Sequence, residues 1–290
     1  MKILVTGKNG QLGRSIQKLI SNYDHHKFTL VGREELDLSS SKSISKYFDT
    51  NPHFDVIINC AAYTAVDRAE EEEDLADQIN HLAVKHLAEF ANSQNAKLIH
   101  ISTDYVFDGK NESLYLESDN PNPINVYGKT KLLGEKAVLE IMSNNAMVIR
   151  TSWVFSEFGN NFLKTMLKLV SEKNDISVVS DQVGSPTYAS DLAKAILNII
   201  TNDNFNKKSF QTEIFHFSNL GEATWAEFAL EIFRLANLDC KVTPISTDQY
   251  PTPAIRPKNT TLSKEKITSH FRLQIPSWQQ SLKECLNEIK

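Results

Sequence analysis

The chain has 290 residues, a formal net charge of -5 at pH 7 and 41% hydrophobic residues. This length suffices to bury a large core, and the interspersed charges argue against a nucleic-acid surface, which needs concentrated Lys and Arg. Cys60, Cys240 and Cys285 are far apart and odd in number, so neither a disulfide framework nor a metal site is predicted. The apolar run Ile3–Val5 is too short for a signal peptide or membrane span, so a cytoplasmic protein without membrane contact is expected.

The first half alternates short, apolar, β-branched runs with helical stretches. A helix is predicted over Leu75–Asn92, where Ile79, Leu82, Leu87 and Phe90 recur at helical spacing. Buried parallel strands are predicted at Lys2–Thr6, Phe28–Gly32, Asp55–Cys60, Lys97–Ser102 and Met147–Thr151. This alternation predicts an α/β fold with a Rossmann-type, doubly wound parallel sheet.

The pattern changes beyond about residue 151. Turn formers and prolines cluster in Ser180–Pro186 and Thr247–Lys258, while amphipathic helices are predicted at Ala189–Thr201 and Trp225–Ala236. A strand near residues 214–218 is expected to return to the sheet. The prediction is therefore a dinucleotide-binding Rossmann domain over residues 1–150 with that returning strand. Residues 151–290 are predicted to form mainly a smaller, mixed α/β substrate-binding lobe, discontinuous in sequence.

A glycine motif follows the first predicted strand and leads into a helix, as Gly7-Lys8-Asn9-Gly10-Gln11-Leu12-Gly13. Gly7 permits a tight turn, Gly10 lets the backbone approach a pyrophosphate, and Gly13 allows close packing of helix on strand. Gln11 and Leu12 then lie at the helix N-terminus, which favours an anion. The motif predicts a dinucleotide site, and an ordinary strand-helix turn is the alternative.

The end of the second predicted strand bears on the choice of cofactor. A Rossmann domain presents there either an acid to the ribose hydroxyls or a base to a 2′-phosphate. Arg33 comes first and favours NADPH, but Glu34 and Glu35 follow directly and leave NADH possible. A plain surface arginine is the alternative interpretation of Arg33.

Two further segments are candidates for contacts with the cofactor. Asp37 and Leu38 form a polar-apolar pair suited to the adenine, one by hydrogen bonding and the other by flanking it. After the third strand, Ala61, Ala62 and Tyr63 fall where the cofactor must pass close to the backbone. Both segments are also compatible with simple packing.

A tyrosine and a lysine four residues apart form the most informative pair. On a helix, Tyr127 and Lys131 share one face, so the ammonium can stabilise the phenolate, whose pKa must fall by about 3 units to act near neutrality. A buried lysine and the cationic nicotinamide of the oxidised cofactor can together supply that fall. Alone, the pair also fits a solvated helix face. The predicted strand 97–102, however, leads into Thr103 at the edge where open α/β sheets bind ligands, and the Thr103 hydroxyl can donate to a carbonyl. His100 within that strand is interpreted as a core histidine.

Taken together, these segments resemble the extended short-chain dehydrogenase/reductases and, within them, the dTDP-4-dehydrorhamnose reductase family. The glycine motif and the Tyr/Lys pair are common to the superfamily, whereas two strings, TDYVFDG and RTSWVF, narrow the resemblance to this family. The similarity covers most of the first 190 residues. Its segments are residues 7–13, 61–67, 102–109, 125–131 and 150–155.

The resemblance implies roles for individual residues. Thr103, Tyr127 and Lys131 would form the catalytic triad, while Asp104 and Trp153 would meet the sugar or its nucleotide. Weaker matches at residues 182–187 and 256–257 would line the substrate cleft. Arg256 has a separate rationale, because a guanidinium fork suits a diphosphate, with an exposed salt bridge as the alternative.

The implied reaction is the NADPH- or NADH-dependent reduction of a dTDP-linked 4-keto-6-deoxy sugar to dTDP-L-rhamnose. A reductase or epimerase of another nucleotide sugar, or a non-catalytic cofactor-binding subunit, are the alternatives. Some relatives look like magnesium-bridged dimers with a carboxylate early in the first helix. This chain has no acid at residues 14–17, which argues against magnesium and favours a monomer or a metal-free homodimer.

Overall fold

The computed structural model describes residues 1–51 and 53–289. Its strands are β1 Lys2–Thr6, β2 Lys27–Val31, β3 Val56–Asn59, β4 Lys97–Thr103, β5 Ala146–Thr151, β6 Val154–Phe155, β7 Asp175–Val179, β8 Val183–Gly184, β9 Thr187–Tyr188, β10 Glu213–His216, β11 Ala223–Thr224 and β12 Lys241–Ile245. Its α-helices are α1 Gln11–Leu19, α2 Ser41–Thr50, α3 Val66–Ala69, α4 Glu73–Asp77, α5 Ala83–Ser93, α6 Val126–Ile141, α7 Phe162–Val170, α8 Ala189–Thr201, α9 Asp203–Asn206, α10 Trp225–Ala236, α11 Glu265–Phe271 and α12 Trp278–Ile289.

A parallel sheet of six strands forms the centre of the molecule, in the order β2-β1-β3-β4-β5-β10. Successive residues of β1 face opposite sides: Ile3 and Val5 belong to one hydrophobic cluster, and Leu4 belongs to the other. Helices cover both faces, which explains why the strands are continuous apolar runs. The predicted Rossmann-type, doubly wound sheet is confirmed. The strand order reverses at β1 and β3, and such a switch point is where open α/β sheets bind ligands.

The helix predicted over Leu75–Asn92 is present, but one of its turns is π-helical. Residues Gln78–Leu82 form a π-helical turn between α4 and α5. The buried Asn80 lies in this turn, where its Oδ1 accepts from the Tyr63 N–H at 2.9 Å and its Nδ2 donates to Thr130 Oγ1 at 3.2 Å. The turn therefore ties the segment after β3 to α6, and π-turns frequently occur at functional sites.

A second, smaller lobe contains three short strand pairs, β6–β9, β7–β12 and β8–β11. They pack with α7, α10 and α12 around a core rich in aromatic residues, including Phe155, Phe228 and Trp278. β10 lies apart from this lobe and pairs with β5 in the main sheet. Within residues 1–51 and 53–289, no helix is both long and apolar enough to cross a bilayer.

Candidate active site

The glycine motif forms a tight cradle between β1 and α1. Gly7 has φ +71°, a left-handed conformation, and a Cβ there would lie 2.8 Å from the Ala61 nitrogen. A Cβ on Gly13 would lie 2.2 Å from the Gly7 carbonyl oxygen, and the Gly10 N–H donates to the same oxygen at 2.9 Å. Since α1 begins directly afterwards at Gln11, its N-terminal N–H groups follow the cradle. This arrangement fits a pyrophosphate.

A cleft of about 510 Å³ lies beside this cradle. Four groups of predicted residues line it: Gly7, Gly10, Gln11 and Leu12 of the glycine motif; Arg33, Asp37 and Leu38 after β2; Ala61 and Ala62 after β3; and Tyr127 and Lys131 on α6. Among the predicted cofactor-binding residues, Gly13 and Tyr63 do not line it, and neither do Thr103, Asp104, Trp153 and Arg256. Gly13 packs against Gly7, and Tyr63 is bonded through its N–H to Asn80 and through its hydroxyl to Glu72.

One part of the cleft was not predicted from the sequence. The Gln11 side chain donates to the Val154 carbonyl at 3.2 Å and accepts from Ser156 and Asn161, each at 2.9 Å. These bonds hold the segment 154–161 against the cradle, and Gly159 and Asn160 of that segment line the cleft. The turn-forming string Gly-Asn-Asn, just after RTSWVF, is the sequence signal that could have indicated it.

Helix α6 carries Tyr127 and Lys131 and is fixed at its start. Asn125 caps it by accepting from the Gly128 N–H at 2.8 Å, and Glu70 accepts from the Val126 N–H at 2.9 Å. Lys131 is 1% exposed. Its Nζ donates to the Ile101 carbonyl at 2.6 Å and lies 3.4 Å from His100 Nε2. The lysine is therefore held against β4 and directed at the sheet edge.

Burial is the main cause of the pKa shifts of Lys131, Tyr127 and His100. It lowers the pKa of Lys131 to about 8, opposed by the Glu135 carboxylate, and raises the pKa of Tyr127 to about 12. The Tyr127 pKa rises because removal from water disfavours the phenolate. Tyr127 therefore keeps its proton at neutral pH. The lowering expected from Lys131 together with the bound nicotinamide stays a prediction. Burial, and to a smaller extent the Lys131 charge, holds the pKa of His100 well below its usual value. His100 is therefore a neutral core group.

Thr103 ends β4 beside Tyr127. Its Oγ1 donates to Asp104 Oδ1 at 2.9 Å, and its hydroxyl partly offsets the rise in the Tyr127 pKa. Burial raises the pKa of Asp104 to about 6. The Tyr105 ring stands edge-on to the Tyr127 ring, with 5.8 Å between their centroids. The Thr103 and Tyr127 hydroxyls and the Asp104 carboxyl group therefore lie together at the carboxyl end of β4, and the Lys131 ammonium is bonded to Ile101 of the same strand.

The Arg256 side chain is paired with the Asp67 carboxylate. Its Nη2 lies 2.7 Å from Asp67 Oδ2, and its Nη1 donates to Asp67 Oδ1 at 3.0 Å. The Ala254 N–H also donates to Asp67, at 3.2 Å. These contacts correspond to the salt bridge that was the alternative interpretation of Arg256. Its role as a diphosphate clamp stays a prediction.

A Tyr and a Lys one turn apart on the helix after β4, beside a glycine cradle on a doubly wound sheet, are the arrangement of a short-chain dehydrogenase/reductase. The family model of the RmlD substrate binding domain matches residues 1–290. The chain belongs to this family, that of the dTDP-4-dehydrorhamnose reductases. The reductase of that name from Sinorhizobium fredii is 41% identical over 99% of this chain and 97% of that protein.

Solved structures agree with this assignment. A crystal structure of a dTDP-4-dehydrorhamnose reductase from Clostridium acetobutylicum has a TM-score of 0.91 and 41% identity, covering 100% of this chain and 99% of that one. The enzyme of the same name from Bacillus anthracis, in complex with NADP, has a TM-score of 0.91 and 38% identity, with 99% of each chain covered.

Proposed function

We propose that this protein reduces the C4 keto group of dTDP-4-dehydro-6-deoxy-L-mannose to give dTDP-L-rhamnose, with NADPH as reductant. The observation that carries the proposal is that Tyr127, which contacts the Thr103 hydroxyl, and Lys131, which is bonded to Ile101 of β4, line the same cleft. The substrate is inferred from the relatives, which are dTDP-4-dehydrorhamnose reductases.

The cofactor fits beside the cradle, because the absence of side chains at Gly7 and Gly13 lets the backbone fold tightly there, and Gly7 and Gly10 face the cleft. The N-terminus of α1 would hold its pyrophosphate, and Ala61 and Ala62 would allow its close passage. When bound, NADPH supplies the hydride that reduces C4. Lys131 would hold the ribose.

The chain supplies the proton. In this proposal the Tyr127 phenol, protonated at neutral pH, donates its proton to the oxygen that develops negative charge at C4. Thr103 donates a hydrogen bond to the same oxygen and orients the carbonyl. The Lys131 ammonium stabilises the phenolate left after transfer. Asp104 and Trp153 would contact the sugar.

The end of β2 favours NADPH over NADH. Arg33 lines the cleft, its side chain is 78% exposed, and its nearest carboxylate oxygen, on Asp37, is 3.6 Å away. Glu35 is engaged elsewhere, since it accepts from the Gly32 N–H at 2.8 Å and pairs with Lys8. A guanidinium at this position can bind a 2′-phosphate.

Replacing Arg33 with Ala is expected to raise the KM for NADPH by about tenfold or more, as for a lost hydrogen bond to a charged group, and to leave the KM for NADH almost unchanged. Steady-state kinetics with each cofactor measure this. The exposed Arg234, paired with Glu231 on α10, offers a control of equal charge, and Arg234→Ala should change neither KM. Equal increases for both cofactors in Arg33→Ala would refute the 2′-phosphate contact.

The pH profile is expected to depend on Lys131. Its pKa of about 8 means that the ammonium is lost as the pH rises through that value, whereas Tyr127 titrates far above it. The kcat/KM for NADPH, which reports on the free protein, should be level below about pH 8 and fall by about tenfold per pH unit above it. Lys131→Arg keeps its charge and should remove this break. A wild-type profile that stays flat above pH 8 would contradict the assignment.

We also propose that the two parts of the chain bind different ligands. Residues 1–150 with the returning strand would hold the cofactor, and residues 151–290 would mainly bind the sugar nucleotide. Thr151, Val154 and Leu192 also line the cleft, which supports a site shared at the boundary. A monomer or a homodimer without bridging metal fits best, because the first turn of α1 carries no acid.

The test is to offer dTDP-4-keto-6-deoxy-L-mannose with NADPH and to identify the product by NMR. Stoichiometric consumption of NADPH with formation of dTDP-L-rhamnose supports the proposal. An altered sugar without net NADPH consumption would instead identify an epimerase. No turnover despite tight NADPH binding would favour a non-catalytic subunit.

A further inference from the structure

Two stacked indoles connect the main sheet to the second lobe. The rings of Trp153 and Trp225 are 3.5 Å apart at their centroids and only 5° from parallel. Trp153 lies two residues beyond Thr151, which pairs with Thr103 in the sheet register, whereas Trp225 is the first residue of α10. The stack therefore joins a segment next to the proposed catalytic residues to a helix of the other lobe.

The backbone of Trp153 needs such support. Its φ of +46° lies in the left-handed region, which bulky side chains rarely adopt. Strained residues of this kind persist where their surroundings hold them, and they concentrate at functional sites. The surroundings here are close, since a Cβ on Gly184 would lie 2.6 Å from Cε2 of Trp153. The indole thus lies against the backbone of β8 and against the Trp225 ring.

Trp225 is itself fixed in orientation. Its Nε1 donates to Gln182 Oε1 at 3.2 Å, and the Gln182 amide, 4% exposed, donates in turn to Thr247 Oγ1 at 3.1 Å. The Phe162 ring packs against it, with 4.6 Å between centroids. A residue with one hydrogen-bonded edge and an aromatic neighbour has little freedom to tilt. Its plane therefore determines the plane of Trp153.

We infer that Trp225 is a positioning residue: held by Gln182, it fixes the Trp153 indole in the orientation that receives the sugar ring, without touching substrate or cofactor. This inference rests on the proposed function, in which Trp153 meets the sugar. Preorganisation of a contact side chain lowers the entropy lost on binding, so its loss should weaken substrate binding and leave cofactor binding unchanged.

Replacing Trp225 with Ala is expected to raise the KM for the keto-sugar by about tenfold, the scale of an aromatic pair, with an unchanged KM for NADPH. Trp225→Phe keeps the ring stack and should recover most of that loss. Gln182→Met removes the hydrogen bond to Trp225, together with the one that Gln182 donates to Thr247, and should raise the same KM by about threefold. Near-ultraviolet circular dichroism should show the signal of the stacked pair disappear in both Trp225→Ala and Trp153→Ala.

The decisive comparison is a double-mutant cycle. If Trp225 acts through Trp153, the variant carrying both Trp153→Ala and Trp225→Ala should have the same keto-sugar KM as Trp153→Ala alone. If adding Trp225→Ala to Trp153→Ala raises the keto-sugar KM as much as it does in the wild type, Trp225 touches the substrate itself and the inference is overturned. Unchanged keto-sugar KM in Trp225→Ala would also overturn it.

Trp278→Phe is the matched control. Trp278 packs on Phe228 in the same core, and this change should lower the thermal midpoint without changing the keto-sugar KM. A Trp278→Phe variant whose KM rises as far as that of Trp225→Ala would show a general effect of core damage and would refute positioning. The wild-type assay separates the two hypotheses: no turnover by the wild-type protein counts against the proposed function, whereas turnover unaffected by Trp225→Ala counts only against this inference.

Discussion

Replacing Tyr127 with Phe is expected to lower kcat for the keto-sugar by about 10³-fold, within the range usual for loss of a general acid. The ring remains, so its edge-on contact with Tyr105 and the packing of α6 should persist. The KM for NADPH should therefore change by less than about twofold, because a phenol that serves as proton donor contributes mainly in the transition state. Steady-state kinetics with purified protein measure both quantities.

Tyr105→Phe provides the matched control. Its ring touches that of Tyr127 and burial raises the pKa of its hydroxyl as well, so the same one-atom change is made in the same environment. If Tyr127 is the acid, Tyr105→Phe should retain most of the turnover. A Tyr127→Phe variant within tenfold of the wild-type rate would rule out Tyr127 as the proton donor, and the reverse pattern would assign that role to Tyr105.

The sequence predicted the structure best at positions where only one type of residue fits. Three glycines at fixed spacing predicted a cradle, and the structure shows at Gly7 and Gly13 that a side chain would collide with backbone. The strand prediction was accurate for a related reason, because a parallel sheet covered on both faces needs continuous apolar runs. The fold class and the position of the cleft could therefore be predicted.

Long-range polar contacts could not be predicted in the same way. The sequence placed Tyr127 and Lys131 on one helix face but could not indicate that burial raises the Tyr127 pKa, since the extent of burial depends on the whole fold. Similarly, nothing local to Arg256 indicates that Asp67 binds its guanidinium. Asp67 and Arg256 are separated by 189 residues in the chain, and the energies of such contacts depend on burial, which the sequence pattern does not report.

Arg150 is the clearest case of such a contact. It begins the RTSWVF string that narrowed the resemblance, and in the structure it pairs with Glu135, its Nη2 lying 2.7 Å from Oε2. Both side chains are 1% exposed. Glu135 also accepts from the Ser102 hydroxyl, so one carboxylate on α6 binds side chains of both β4 and β5. Since Lys131 lies one turn before Glu135, this pair holds the helix that carries the proposed catalytic residues.

Replacing Arg150 with Met is expected to lower the free energy of unfolding by about 3–5 kcal/mol, because it leaves the Glu135 charge buried without its partner. Urea unfolding followed by circular dichroism measures the loss. A variant with Arg150→Met and Glu135→Leu together should recover most of the stability, since apolar side chains often replace a buried ion pair at little cost. If the free energy of unfolding of Arg150→Met lies within about 1 kcal/mol of the wild type, the Glu135 charge is tolerated without Arg150. Recovery of stability in the double variant without recovery of turnover would then assign to the pair a role in orienting α6 as well as in folding.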